Sequence, residues 1–288
     1  MSQIKFSVIV PTYHRNDLLA KCLDCLAPDV QTFSADQYEV IVTDDGYQTT
    51  AQEIIQQQYP WAKWVAGPRK GPAANRNNGA KYAQGDWLAF TDDDCLPEPH
   101  WLEAYAEATK GSSLALEGAI YPLGNLNQDL AECPVNTEGG LFWSANIALQ
   151  QQLFESISGF DSNYLLAAHE DQDLKIRVEK ITKINFVPGA KLYHPVRVMS
   201  LKNLIARIPK QSANWAYHVN KHQIVSENGG QFLFTLKAYR FYLVLTLRNM
   251  YGLHFKKAIF ALCYLIFGLP INWFYILQNQ KNSSQIAR

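Results

Sequence analysis

Residues 86–94 read DWLAFTDDD, an apolar run that ends in three consecutive aspartates. Such a run is typical of a buried β-strand, whose side chains alternate between the two faces of a sheet. This alternation predicts that Asp92 and Asp94 lie on one face and Asp93 on the other. Two adjacent carboxylates raise each other's pKa unless a cation lies between them, and Mg²⁺ or Mn²⁺ suits all-oxygen ligands. A solvated acidic turn is the alternative, but the neighbouring polar strand ends described below favour a metal site.

Around this run, short β-rich stretches alternate with amphipathic helical ones. Strand, helix, strand, helix in that order predicts an α/β fold with a mostly parallel sheet and helices on both faces. In such sheets ligands bind beyond the carboxyl ends of the strands, so the residues that follow each strand are candidates for the site. The predicted elements are strands at 6–10, 38–45, 64–67, 86–94 and 184–195, and helices at 17–26, 50–58, 73–83 and 171–180.

Polar residues follow the first three predicted strands as well. The sequence is PTYHR at 11–15, DDG at 44–46 and GPRKGP at 67–72. Asp44 is either a simple turn residue or an acceptor for ribose hydroxyls, and its position after a long apolar strand favours ligand binding. Arg76 lies in the helix that follows the Gly/Pro-rich loop. A guanidinium there can bind phosphate, and a surface helix arginine is the alternative.

A second acidic cluster, HEDQD at 169–173, begins a predicted helix. Capping explains one carboxylate, because negative charge in the first turn meets the helix dipole, but it explains three less well. A base that deprotonates a hydroxyl needs a carboxylate held away from the metal, and this cluster is the credible downstream supplier. His194 taken alone is more often structural than a ligand. It becomes a reasonable third metal ligand only if the chain returns to the site.

Charge and cysteine content limit the partners and the compartment. The 288 residues include 26 basic and 26 acidic side chains, so the whole chain lacks the strong positive field that nucleic-acid binding usually needs. The five cysteines are an odd, scattered set, which indicates a reducing compartment rather than a disulfide framework. The apolar run in MSQIKFSVIVPTY is too short for a signal peptide. We therefore expect a cytoplasmic protein that does not bind nucleic acid.

The composition changes from about residue 201. Residues 258–277 contain no formally charged side chain, and a span of about 20 such residues is long enough to cross a bilayer. Gly268, Pro270 and Asn272 interrupt this stretch, so an interfacial or re-entrant hairpin and a buried helical pair remain open. We predict an α/β domain at 1–200 that carries the candidate site, and a helical region at 201–288 for which membrane association is one of the open arrangements.

Seven short motifs occur in one order between about residues 5 and 195: SVIVPTYHR, EVIVTDDG, GPAANRNNGA, DWLAFTDDD, WSANIAL, ISGFD and HEDQDL. In this order the chain resembles a family 2 glycosyltransferase with the GT-A fold, a Rossmann-like, mixed and mostly parallel sheet flanked by helices. Two positions depart from the pattern of many relatives. Trp143-Ser144 stands where many have glycine or alanine, and Tyr47 follows the DDG turn in place of the usual serine.

The resemblance implies a sugar transfer with inversion of the anomeric configuration. The donor is a nucleotide-diphosphate sugar, preferably a UDP-sugar, and the cofactor is Mn²⁺ or Mg²⁺. The apolar carboxyl-terminal segment suggests a glycan or lipid-linked acceptor at the cytoplasmic face of the membrane, in surface polysaccharide or glycolipid synthesis. The resemblance implies nucleotide or diphosphate contacts for Pro11, Thr12, Tyr13, Arg15, Asp44, Asp45, Arg76 and Asp93, metal binding for Asp92, Asp94 and His194, and the role of base for Asp171.

Two other functions remain as alternatives. A sugar nucleotidyltransferase shares the nucleotide-binding sheet and acidic metal ligands, but it would carry a Gly-rich basic loop after the first strand, where this chain has PTYHR. An inert sugar-nucleotide or glycan-binding protein would not need both acidic clusters, and both are intact here. An NAD-dependent dehydrogenase is disfavoured because no G-x-G-x-x-G follows the first strand.

Overall fold

The computed structural model describes residues 4–164, 166–227, 230–252 and 254–286. The chain divides into two compact units. Unit 1 comprises residues 1–124 and 133–196, and unit 2 comprises residues 125–132 and 197–288.

The strands of unit 1 form one mixed sheet of eight strands in the order β3-β2-β1-β4-β8-β6-β9-β5. The four strands from β3 to β4 are parallel, β8 runs antiparallel to both of its neighbours, and β9 is parallel to β6. The remaining two strands, β7 and β10, form an antiparallel pair in unit 2. The strands are β1 Phe6–Thr12, β2 Tyr38–Asp44, β3 Lys63–Ala66, β4 Trp87–Thr91, β5 Leu96–Pro97, β6 Ala115–Leu123, β7 Ala131–Glu132, β8 Asn146–Gln150, β9 Ile184–Pro195 and β10 Arg197–Val198.

Helices follow the first three strands of the sheet, as the sequence predicts, and make up most of unit 2. A short 3-10 turn covers Ala35–Gln37, and a π-helical turn covers Tyr264–Gly268. The α-helices are α1 Asn16–Leu26, α2 Gln52–Gln58, α3 Pro72–Ala80, α4 Trp101–Ala108, α5 Gln151–Ser156, α6 Glu170–Glu179, α7 Leu201–Lys221, α8 Ile224–Glu227, α9 Gly230–Tyr251, α10 Phe255–Cys263 and α11 Leu269–Ile286.

Both faces of the sheet in unit 1 are apolar. Val8 and Val10 of β1 point into one core layer, which α1 and α4 cover, whereas Ile9 points into the other, which α3, α5 and α6 cover. Strands that are buried on both faces read as nearly continuous apolar runs, which explains FSVIV and WLAF. The predicted mixed, mostly parallel sheet with flanking helices is confirmed.

The carboxyl-terminal helix of unit 2 is not interrupted where the sequence suggests a break. Helical structure continues from α10 through the π-helical turn into α11, past Pro270 and Asn272. Proline lacks an N–H and clashes with the preceding turn of an α-helix. The π-helical turn just before it, where the Leu269 N–H bonds to the Tyr264 carbonyl, widens the helix and absorbs that clash. One stretch, Phe255–Gln278, is long and apolar enough to span a membrane by length and composition.

Candidate active site

The carboxyl ends of β1, β2 and β3 meet at one edge of the sheet. In the parallel register Thr12 lies beside Asp44, and Asp44 lies beside Ala66. Pro11 is buried in β1. The pairing between β1 and β4 ends at Ile9, so the N–H group that Pro11 lacks would not have bonded to β4. The polar residues after these strands are therefore gathered as the sequence predicts.

The three aspartates after β4 form a turn rather than the end of a strand. β4 ends at Thr91, and the Cys95 N–H donates to the Asp92 carbonyl at 3.1 Å. The prediction that the strand continues to residue 94 is therefore wrong, and strand alternation does not determine where Asp92 and Asp94 point. Asp93 and Asp94 instead share one arginine, Arg15, whereas Asp92 contacts a different one.

Asp93 is fully buried and holds the end of β1 in place. It accepts hydrogen bonds from the Thr12 hydroxyl at 2.7 Å and from Arg15 Nε at 3.1 Å, and Arg15 Nη2 lies 2.5 Å from its other oxygen. Burial raises the pKa of Asp93 to about 7, although Arg15 and Thr12 oppose this. Arg15 also reaches Asp94 at 3.3 Å through Nη1. The side chains predicted to contact the diphosphate thus already form a hydrogen-bonded group.

Arg76 joins the two acidic clusters that the sequence singles out. Its Nη2 lies 2.6 Å from Asp92 Oδ1, and its Nη1 lies 3.1 Å from Glu170 Oε1. The arginine is buried, and its guanidinium lies 5.6 Å from the centre of the Phe160 ring. Although burial acts to raise the pKa of Asp92, Arg76 lowers it below its usual range. The turn after β4 and the start of α6 therefore belong to one site.

The first turn of α6 carries Glu170 and Asp171, and its cap residue His169 adopts a left-handed backbone with φ of 71°. Burial raises the pKa of Glu170 to about 7, against the opposing effect of Arg76. Asp171 is half-buried, its Oδ1 accepts the Gln172 N–H at 2.8 Å, and burial raises its pKa as well. The third carboxylate, Asp173, pairs with Arg177 at 2.7 Å along the same helix. Among these three carboxylates, Asp171 alone has no lysine or arginine of the described residues within salt-bridge distance.

The DDG turn is built by its own first aspartate. Asp44 is buried and accepts the backbone N–H groups of Gly46 and Ala51 at 2.7 and 2.6 Å and the Trp64 indole N–H at 3.2 Å. Asp45 accepts the Arg69 N–H at 2.8 Å, and burial raises its pKa. The turn role of Asp44 is therefore plain in the structure, and its ribose contact stays a prediction.

Two exposed tyrosines lie at the mouth of this edge. Tyr13 is 50% and Tyr47 57% exposed, and their ring centres are 6.2 Å apart. His14 lies against both rings and contacts the Thr49 hydroxyl at 2.9 Å, which links the β1 end to the DDG turn. Tyr13 is thus accessible to a ligand, as its predicted nucleotide contact requires.

His194 returns to the acidic turn because β9 runs parallel to β6 and ends there. One ligand atom from each of Asp94, Cys95 and His194 lies within 4.8 Å of the other two, and all three residues are buried. The carboxylate of Asp94 and the imidazole of His194 fit the predicted Mn²⁺, whereas the Cys95 thiol is a soft ligand that Mg²⁺ and Mn²⁺ disfavour, and burial raises its pKa well above the usual value. Asp92 is not part of this group because it pairs with Arg76. Cys95 is absent from the prediction, and only its place directly after the aspartates hints at it.

Two buried polar residues that support the site were also missed. Glu117 of β6 accepts the Asn136 amide at 3.0 Å and the backbone N–H groups of residues 140–142, which holds that loop. Asn146 accepts from Trp101 Nε1 and the Tyr105 hydroxyl, both at 2.8 Å, and donates to two carbonyls. In the sequence, Glu117 could have been recognised as the single acidic residue inside the apolar run LEGAI, and Asn146 as the asparagine of the WSANIAL motif.

Comparison with known proteins agrees with this architecture. A family model described as Glycosyl transferase family 2 matches residues 7–116, which contain the first three strand ends and the acidic turn. Glycosyltransferase AglE of Haloferax volcanii is 27% identical over 206 residues, which cover 66% of this chain and 67% of that protein. Three other relatives, the two validoxylamine A glucosyltransferases and a poly(ribitol-phosphate) beta-glucosyltransferase, are matched over half of their own length or less.

Two solved structures share the fold across nearly the whole chain. Residues 1–349 of TarS from S. aureus superpose with a TM-score of 0.56 at 18% identity, covering 94% of this chain and 91% of that one. The mannosyltransferase PcManGT from Pyrobaculum calidifontis, in complex with GDP-Man and Mn²⁺, gives a TM-score of 0.55 at 15% identity, covering 99% and 76%. The matched family model, the relatives and the shared architecture together support a family 2 glycosyltransferase with the GT-A fold.

Proposed function

We propose that the protein transfers a sugar, with inversion, from a nucleotide-diphosphate donor to an acceptor hydroxyl in surface polysaccharide or glycolipid synthesis. The UDP and UDP-GlcNAc complexes of TarS support a UDP-sugar as the donor, and the GDP-Man complex of PcManGT makes a GDP-sugar the alternative. The acceptor is a glycan or a lipid-linked glycan at the cytoplasmic face of the membrane. Residues 1–200 are the proposed catalytic domain, and residues 201–288 the proposed membrane-associated region.

The observation that carries this proposal is the double ion pair of Arg76 with Asp92 and Glu170. It supports a single pocket in which the acidic turn after β4 faces the start of α6. Asp171 lies next to Glu170 in that first turn, no lysine or arginine of the described residues lies within salt-bridge distance of it, and burial raises its pKa. A raised pKa makes a carboxylate a stronger base toward a hydroxyl proton.

The proposed reaction is one in-line displacement at the anomeric carbon. Asp171 takes the proton of the acceptor hydroxyl, and the acceptor oxygen forms a bond to that carbon. The bond from the carbon to the diphosphate oxygen breaks, and the nucleoside diphosphate leaves with both electrons. Arg15 is the proposed positive side chain for the departing diphosphate, because it is partly exposed beside Asp93 and Asp94.

The metal that we propose is Mn²⁺ or Mg²⁺, with Asp94 and His194 as ligands. Asp92 remains a proposed ligand that would have to exchange its contact with Arg76. A divalent ion held there would supply positive charge to the diphosphate leaving group. The Mn²⁺ in the PcManGT complex supports the choice of ion.

The test measures donor binding and transfer separately. Purified protein is titrated calorimetrically with UDP-, GDP- and dTDP-sugars, with Mn²⁺ and with EDTA, and release of nucleoside diphosphate is followed with glycan and lipid-linked acceptors. We expect metal-dependent binding of one donor. Asp171→Asn should keep donor binding and lose at least about 100-fold in rate, while the control Asp29→Asn, an exposed aspartate beyond α1, should match the wild type.

Each other outcome has a defined meaning. A wild-type rate for Asp171→Asn refutes the base assignment. Donor binding without any release, with all acceptors, indicates an inert binding protein. Formation of a nucleotide sugar from a nucleoside triphosphate and a sugar 1-phosphate indicates a nucleotidyltransferase. Failure of every donor to bind refutes the proposal as a whole.

A further inference from the structure

The neutral net charge of the chain hides two oppositely charged parts. Residues 201–288 contain eleven lysines and arginines and a single acidic residue, Glu227. The first 200 residues contain fifteen basic and twenty-five acidic side chains. A charge asymmetry of this size indicates an anionic partner for the basic part.

The exposed face of α9 is apolar, the reverse of a helix that faces water. Leucines and one methionine recur on this face at helical spacing, and each is about half exposed: Leu233, Leu236, Leu243, Leu247 and Met250. Thr246, on the opposite side, is buried. Helices of water-soluble proteins bury the apolar face and expose the polar one, so this face requires a covering surface.

The helix from α10 to α11 shows the same inversion. Large apolar side chains, most of them three or four residues apart, are between 42% and 64% exposed, while several side chains between them, such as Ala258, Ala261 and Ile276, are buried. The exposed set is Phe255, Ile259, Leu262, Ile266, Phe274 and Leu277. Unit 2 therefore has two apolar exposed faces, which we call the apolar faces of α9 and α10–α11.

Positive charges accompany both faces. Lys237, Arg240 and Arg248 are exposed on α9, and Lys256 is exposed at the start of α10. Residues 228–288 contain no aspartate or glutamate. A second copy of the same surface would bring like charges together, whereas an anionic lipid surface meets both the charge and the apolar side chains.

We propose that the apolar faces of α9 and α10–α11 dock unit 2 onto the surface of a bilayer that contains anionic lipids, with the helices lying in the interface. This inference rests on the proposed function, since a lipid-linked acceptor lies at such a surface. Lys237 and Arg240 lie near the middle of α9, where a spanning helix would place them in hydrocarbon. In the interface, the leucines enter the acyl region while the cations stay at the headgroups.

The test is sedimentation of the full chain with vesicles of phosphatidylcholine, alone or with 30% phosphatidylglycerol. We expect stronger binding to the anionic vesicles, weakened by salt. Each cation near an anionic surface contributes roughly a fivefold factor in affinity, so Lys237→Gln/Arg240→Gln/Arg248→Gln should lose roughly 100-fold. The control Lys21→Gln/Lys180→Gln/Lys183→Gln changes the net charge equally on exposed lysines of unit 1, and it should bind like the wild type.

Further measurements separate the rival explanations. Leu236→Gln/Leu247→Gln keeps every charge and should also lose vesicle binding. Native membranes washed with alkaline carbonate should release the protein, and its retention would overturn the interfacial arrangement. Equal loss in both triple variants, no preference for anionic vesicles, or a dimer in lipid-free solution that Leu236→Gln/Leu247→Gln abolishes would overturn the proposal.

Measurement of donor binding in the absence of vesicles tests the membrane-docking proposal separately from the proposed sugar transfer. The triple variant Lys237→Gln/Arg240→Gln/Arg248→Gln should bind the nucleotide-sugar with Mn²⁺ as the wild type does, which also reports that unit 1 is folded. Normal donor binding with no wild-type vesicle binding refutes only the docking surface. Vesicle binding without donor binding refutes only the proposed transfer.

Discussion

Replacement of Glu170 by glutamine should change how the stability of the protein depends on pH. Glu170 is 3% exposed, and burial raises its pKa from 4.5 to about 7 despite the contact with Arg76 at 3.1 Å. A carboxyl whose pKa is higher in the folded state holds its proton more tightly there. Its contribution to stability is therefore complete below pH 4.5 and is lost as the pH rises toward 7.

The size of the effect follows from the two pKa values. A displacement from 4.5 to about 7 corresponds to roughly 3 kcal/mol in total, most of which falls between pH 5 and pH 8. Glutamine cannot ionise, so the Glu170→Gln variant lacks this loss. Relative to the wild type, its stability should rise by about 2 to 3 kcal/mol between these pH values. In a domain of this size that is roughly 5 to 10 °C in Tm.

Thermal unfolding followed by circular dichroism at pH 5, 6.5 and 8 measures this difference. Subtraction of the wild-type Tm at each pH removes the contributions of groups common to both proteins. Glu179→Gln is the matched control, because Glu179 lies at the other end of α6, is half exposed and is 3.7 Å from Lys175. The control should show no trend. A flat difference for Glu170→Gln, or one of opposite sign, would show that Arg76 outweighs burial and that Glu170 is ionised throughout.

Two further substitutions test the packing and the metal ligands of the site. A methyl group on Gly67 would lie 2.6 Å from Asn75 Oδ1, so Gly67→Ala should lower the free energy of unfolding by about 1–3 kcal/mol in urea titrations. The control is Gly111→Ala, whose methyl group would have its nearest atom at 3.4 Å and should change that free energy little. His194→Ala should raise the Mn²⁺ concentration needed for half-maximal transfer at least about tenfold, and His100→Ala on the surface should leave it unchanged; equal requirements would remove His194 from the ligand set.

The sheet could be predicted because its strands are buried on both faces. Nearly every side chain of FSVIV and YEVIV is apolar, and a central strand buries both of its faces. The helices between these strands have regularly spaced apolar residues. Once the strands are parallel, their carboxyl ends share one edge. For this reason the sequence alone predicts that Thr12, Asp44 and the acidic turn lie together.

The arrangement inside the site could not be predicted in the same way. Whether a strand ends at Thr91 or three residues later depends on what the aspartates contact, and those contacts come from Thr12 and Arg15, about 80 residues away in sequence. Glu117 was missed for the same reason, since its partners lie on a loop more than 20 residues further on. Local pattern predicts which segments are strands, but it does not predict which buried polar groups satisfy each other.

The net charge of the whole chain does not reveal how charge is distributed along it. Equal numbers of acidic and basic residues excluded a strongly basic protein, yet they concealed the basic residues 201–288. Charge acts over about a Debye length, roughly 8 to 10 Å in physiological salt, so the charge of a surface matters and not that of the chain. Counting by predicted region would have drawn attention to unit 2 from the sequence alone.

The two arginines that hold the acidic groups differ in their freedom to respond to a donor. Arg76 has a 4% exposed side chain with both ends of its guanidinium bound, so it fixes the turn after β4 against α6. Arg15 is 39% exposed and contacts Asp93 and Asp94. Removal of one partner from a buried ion pair leaves an uncompensated charge, which is strongly unfavourable, whereas an exposed arginine can change partners at little cost. We therefore expect Arg15 to exchange Asp94 for the donor's diphosphate once the proposed divalent ion compensates the charge of the buried Asp94. Arg76 should keep its contact with Glu170 and so hold the first turn of α6, which carries Asp171, in place for proton transfer.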